Sequence, residues 1–90
     1  MASAFRIFIH RNESNLHVKL MGDFDEAAAH QLLNILRKYR NGTSTIFIHT
    51  ACLERIFSSG QNVFCCNLRS LKFEPVRLVF TGENATQLSP

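Results

Sequence analysis

Residues 20–29 read LMGDFDEAAA. The hydrophobic period changes within this stretch, and the change decides the fold. Before it, Leu16, Val18 and Leu20 alternate with His17, Lys19 and Met21, which is the two-residue period of a strand. After it, Ala28, Ala29, Leu32, Leu33, Ile35, Leu36 and Tyr39 form a broad apolar stripe at helical spacing, predicting a helix over Glu26 to Arg40. Gly22-Asp23-Phe24-Asp25 breaks the strand between them. Asp25 suits the N-cap, because its carboxylate can accept a free first-turn amide, and Phe24 before it suits a hydrophobic staple. Asn41-Gly42 stops the helix.

Working outward, Phe5 to His10 alternates in the same way as Leu16 to Met21. With Arg11 to Asn15 as a turn, the two segments form an antiparallel hairpin. Downstream, Thr45 to His49 is a β-branched strand. Thr50 to Phe57 reads as a loop anchored by Leu53 and Ile56. Ser59 to Leu71 reads as a second helix, with Val63, Phe64, Leu68 and Leu71 on one face. Pro75 ends what precedes it, Val76 to Thr81 is a last strand, and Gly82 to Pro90 is a polar tail with at most one helical turn. The order is β-β-α-β-α-β, and each helix joins parallel strands through a right-handed crossover. The fold class is α/β: a four-stranded mixed sheet in the order 1-2-3-4, its first strand antiparallel, with both helices on one face. Residues 1–82 form a single domain and 83–90 the tail.

One-sided covering leaves an open sheet face carrying Arg6, Phe8, His10, His17, Lys19, Met21, Phe47, His49, Arg77 and Val79. Its polar members fit solvent. Phe8, Met21, Phe47 and Val79 do not, and either form an interface for a partner or second copy or are scattered surface groups.

Ninety residues leave no room for a second domain. Eight Phe and no Trp point to a core filled by phenyl rings. The net charge of +3 is modest, and its densest cluster, Arg37-Lys38-Tyr39-Arg40, falls where cations favour a helix C-terminus. That is no nucleic-acid signature. No apolar run is long enough to span a bilayer, no signal peptide is visible, and three cysteines, two adjacent, make no disulfide framework. The expectation is a cytoplasmic protein that neither binds nucleic acid nor inserts into a membrane.

Motifs for chemistry are sparse. Asn41-Gly42-Thr43-Ser44-Thr45 lacks the Gly-Lys-Ser/Thr of a phosphate loop, and there is no dinucleotide glycine pattern. His10, His17 and His49 share the open face by alternation, but nothing in their spacing shows that they converge on a metal. Cys65 and Cys66 point a helical step apart. Cys52 and His49 lack an orienting group for nucleophilic catalysis. Capping accounts for Asp25, and Asp23 could bind amides in the same turn. No cofactor, metal or catalytic residue is expected. Ser58-Ser59-Gly60 opens the second helix. A hydroxyl there can cap the helix, and a phosphate there would meet free amides and the helix dipole. The two readings coexist.

The order of elements, with Leu20 to Asp25 before an Ala- and Leu-rich helix, the strand Ile46-Phe47-Ile48, and Ile56 to Gly60 opening the next helix, resembles the STAS domain of bacterial anti-anti-sigma factors over about residues 5–82. Gly22 to Asp25 match the family's Gly-x-apolar-Asp, and Ser58, Ser59 and Gly60 match its Ser-Ser/Thr-Gly. The resemblance implies a non-enzymatic regulatory module docking a protein partner, an anti-sigma or switch-type kinase, through Asp23, Asp25, Phe57, Ser58, Ser59 and Gly60. It implies Ser59 as phosphoacceptor, with Ser58 beside it, and it allows a homodimer. Phe57 departs from the pattern, standing where regulatory members carry aspartate. His49, Thr50 and Cys52 replace the commoner small or acidic types, and Asn84 to Pro90 is too short for the family's last helix. These departures fit an alternative: an unphosphorylated accessory or assembly subunit of a lipid-transport or sensory complex.

Overall fold

A computed structural model describes residues 4–70 and 76–88, except the side chain of Ser70. The elements are β1 (Arg6–Asn12), β2 (Asn15–Phe24), α1 (Glu26–Tyr39), β3 (Thr45–Ile56), α2 (Ser58–Ser70), β4 (Arg77–Thr81) and α3 (Ala85–Leu88). The four strands lie in the order β1-β2-β3-β4. β1 and β2 are antiparallel, whereas β2 with β3 and β3 with β4 are parallel. Helices cover one face, as the alternation predicts. The expectations for Leu71 and Pro75 fall outside the described residues.

Three boundaries differ from expectation. The hairpin is longer, because Arg11 pairs with Leu16 and Asn12 with Asn15, leaving only Glu13-Ser14 to turn. Glu13 has φ +56, the left-handed backbone that a two-residue hairpin loop asks of its first central position. β2 does not stop at Gly22 but runs to Phe24, and β3 does not stop at His49 but runs to Ile56. Each extension supplies the other's hydrogen bonds: Gly22 lies opposite Leu53, Asp23 opposite Arg55 and Phe24 opposite Ile56. Register shifts between Lys19 and Met21 and between Gly22 and Asp23 absorb extra β3 residues as bulges. These bulges hide the period of β3, so residues 50–57 resemble a loop in sequence.

The core lies between sheet and helices. Leu16, Val18, Leu20 and Phe24 of β2 and Ile46, Ile48 and Leu53 of β3 are buried against Ala28, Ala29, Leu32, Leu33 and Leu36 of α1 and Phe64 and Leu68 of α2. Phe24 stands at its centre, edge-on to Phe5 at 5.9 Å and to Phe64 at 6.0 Å, and Phe64 in turn meets Phe80 at 6.2 Å. Edge-to-face contacts of this kind add to the area that each ring buries.

The C-terminal segment carries more structure than a polar composition predicts. Leu88 of α3 is fully buried against the core. Gln61 donates to the Gln87 carbonyl at 2.6 Å, and Asn84 donates to the Thr50 carbonyl at 3.0 Å. Thr50 Oγ1 donates to the Thr81 carbonyl at 2.7 Å, so the β3 bulge, the end of β4 and α3 are tied together. Among the described residues, no helix is long and apolar enough to cross a membrane.

Candidate functional site

β2 and β3 run parallel, so each delivers a helix start to the same end of the sheet. Asp25 caps α1, its Oδ1 accepting from the Ala28 amide at 2.9 Å. At the neighbouring strand end, the Phe57 amide donates to the Phe24 carbonyl at 3.0 Å, and the Phe57 carbonyl accepts the first α2 bond, from Gln61, at 3.0 Å. The cap position of α2 therefore falls to Phe57. Ser58 and Ser59 are the first residues inside the helix, so the capping role expected of Ser58 gives way to exposure on the first turn.

Gly60 makes the two starts adjacent. A Cβ there would lie 2.6 Å from the Asp25 carbonyl and 2.7 Å from the Phe24 oxygen, so only glycine permits this approach. The result is one surface on which Asp25, Phe57, Ser58 and Ser59 are all exposed, over a buried Gly60. Phe57 keeps 40% of its surface accessible. Asp23 does not join them at the surface, because it is 4% exposed on β2. An anion at Ser59 would face the first-turn amides of α2, which have no acceptor within the helix.

The open face brings together residues that sequence spacing leaves apart. Cross-strand register sets His10, His17, Phe47 and Val79 in one row and Phe8, Lys19, His49 and Thr81 in the next. His17 stacks on Phe47, centroids 4.8 Å apart and planes within 11°. His17 Nδ1 lies 3.0 Å from His49 Nε2, and His49 Nδ1 lies 2.6 Å from Thr81 Oγ1. The chain Thr81–His49–His17 thus crosses β4, β3 and β2. Burial, then the positive forms of His17 and Lys19 nearby, hold the His49 pKa below its usual 6.5. Both ring nitrogens of His49 are engaged, which leaves none to activate Cys52. No group of three or more His, Cys, Asp or Glu side chains able to hold a metal occurs among the described residues. Phe8 is 51% exposed, while Met21, Phe47 and Val79 are half-buried. Beside Met21, a shallow depression of about 540 Å³ is lined by Ala4, Arg6, Met21, Gly22, Cys52 and Glu54.

Sequence reasoning missed Thr81 and Thr50. Thr81 meets His49 through the ordinary β3–β4 register, a cross-strand pairing that no single stretch shows, whereas Thr50 lies in the β3 bulge, which has no signature in the local pattern. The packing role of Gly60 was also hidden, since its contacts lie 35 residues away in sequence at Asp25.

The sequence matches no family model and no curated protein. Solved structures do match. The chain superimposes on part of a protein described as Mglu, with TM-score 0.70 and 25% identity, covering 81% of this chain but only 18% of that one. It matches the unphosphorylated form of the anti-sigma factor antagonist SpoIIAA with TM-score 0.61 and 20% identity, covering 86% of this chain and 71% of that one. It also matches an antisigma-factor antagonist STAS domain from Rhodobacter sphaeroides with TM-score 0.70 and 11% identity, covering 93% of this chain and 94% of that one. The fold is STAS-like, shared with anti-sigma factor antagonists at low sequence identity.

Proposed function

We propose that this chain is a non-enzymatic regulatory module of the anti-sigma factor antagonist kind, acting in the cytoplasm by docking a protein partner at the paired helix starts. The observation that carries the reading is the seating of Gly60 on the Phe24–Asp25 backbone, which fuses two helix N-termini into one exposed surface. The likeness to two antagonist structures supports it, and Cys52, Cys65 and Cys66, all free thiols, suit a reducing compartment. In this reading Asp25, Phe57, Ser58 and Ser59 contact the partner, a switch-type kinase, and Ser59 is the phosphoacceptor with Ser58 as its neighbour. Buried Asp23 supports the strand end rather than the contact.

Phosphate would act simply here. A phosphoserine carries about −1.5 to −2 charges at neutral pH. On the first turn of α2 the dipole stabilises it, while a partner built for neutral serines and an exposed phenyl ring is repelled. Incubation with ATP and each candidate kinase of the source genome, followed by intact-mass measurement, tests the switch. One added phosphate, abolished by Ser59→Ala, is expected. No added mass with any kinase overturns the switch.

Exposed Phe57 favours a second reading, a constitutive contact in a larger assembly. An apolar ring gains by permanent burial, whereas a switch loop is alternately solvated. Pull-down with Phe57→Ser as control separates the two: recovery of transporter or sensory-complex subunits, lost in the variant, supports assembly.

A further inference from the structure

The open face differs in charge from the helix-start surface. Its register positions carry Arg6, Lys19 and Arg77, all exposed, together with exposed His10. Among the described residues no carboxylate occupies a position in these rows, and Glu54 stands only at the margin, in the depression. Phe8 rises among the cations, with Lys19 directly across the strand pair. A half-exposed phenyl ring opposite Lys19, on the same face as a depression lined by Arg6 and Met21, calls for a ligand that is both acidic and apolar.

We propose that the open face of the sheet is a docking surface for an acidic polypeptide segment carrying an apolar side chain. Its carboxylates meet Arg6, Lys19 and Arg77, and its apolar group seats against Phe8 and Met21. Charge complementarity selects this occupant. A second copy would bring the same positive face against itself. Single-stranded nucleic acid is also cation-seeking, but it needs free ring faces for its bases. Here His17 and Phe47 turn their faces onto one another, which leaves Phe8 as the exposed phenyl ring of the face and no run of rings for successive bases.

The test uses the whole chain, isotope-labelled, observed by amide NMR. The probe is a synthetic peptide of Asp, Glu and Ser with one central Leu, and the controls are its Lys counterpart and oligothymidylate. Acidic peptide should shift amides around Phe8, Lys19 and Phe47. Binding should weaken about tenfold in Lys19→Glu, and by a similar factor at about 0.5 M salt, where exposed charges are screened. Phe8→Ser should also weaken it. No shifts at millimolar peptide, shifts centred on Ser58 to Gly60, equal binding of the Lys peptide, or preferential binding of oligothymidylate would each overturn the proposal.

Discussion

Gly60 shows how one residue holds a surface together. Its α-carbon stands where any side chain would enter the Asp25 carbonyl, and backbone cannot yield as a flexible side chain can. Gly60→Ala should therefore destabilise the protein by about 1–3 kcal/mol, the usual range for overpacking, in urea unfolding. It should also move the Ser58 and Ser59 amide resonances, since α2 must back away from Asp25. An unchanged midpoint would mean that the helices part at no cost. His49 offers a prediction of a different kind. Its folded pKa lies below the unfolded 6.5, so between those values the unfolded chain binds more protons. Stability from this group is then complete above about pH 6.5 and declines as pH falls through the window. Replacing His49 by Gln should flatten the slope of unfolding free energy in that window relative to the parent. An equal slope in both proteins would show that His49 does not carry the pH dependence of stability in that window.

At the scale of elements, the last helix makes the sharpest claim. α3 has only four residues and cannot persist on its own, yet Leu88 is fully buried, Gln61 of α2 donates to the Gln87 carbonyl, and Asn84, just before α3, anchors the β4–α3 turn to the Thr50 carbonyl of β3. Leu88→Ala should cost about 2–4 kcal/mol by the usual measure of a large-to-small core change. Hydrogen exchange should quicken along the α2 face that α3 covers while β2 stays protected. Uniform acceleration instead would mean that α3 unfolds only with the whole domain. The same elements show what the sequence could reveal. β2, α1 and the strand order were legible because each carries one clean period, from Leu16 to Leu20 and from Ala28 to Leu36. The second half of β3 was not, because bulges after His49 and near Glu54 shift the buried side chains out of alternation. Leu88 was hidden by its polar neighbours. At the candidate site, Asp25 and the serines could be placed on helix starts from local pattern. Their contact through Gly60 is a tertiary fact that no single stretch encodes.

Across the whole molecule, six of the eight phenylalanines fall into two sets with opposite physical tasks. Phe5, just before β1, forms with Phe24 of β2, Phe64 of α2 and Phe80 of β4 a continuous edge-to-face chain through the core. Phe8 and Phe57 stand in solvent, one on the open sheet face and one at the helix starts. A chain of ninety residues has little stability to spare, so apolar rings left outside are unlike the rest of its composition. If the exposed rings serve recognition, their removal leaves the fold intact. Phe24→Ala should lose about 3–5 kcal/mol, because it deletes a fully buried ring touching two others. Phe8→Ser should stay within about 0.5 kcal/mol of the parent, as surface substitutions do, and Phe57→Ser should lose nothing and gain about 0.5–2 kcal/mol, because serine at the cap position of α2 can accept a first-turn amide. Urea melts of the three variants provide the comparison. A loss of several kcal/mol in Phe8→Ser or Phe57→Ser would assign that ring to the fold and remove its surface from consideration as a docking site. Undiminished stability in both, with Phe24→Ala strongly destabilised, would show that the fold does not need the two exposed rings and leave them free for recognition.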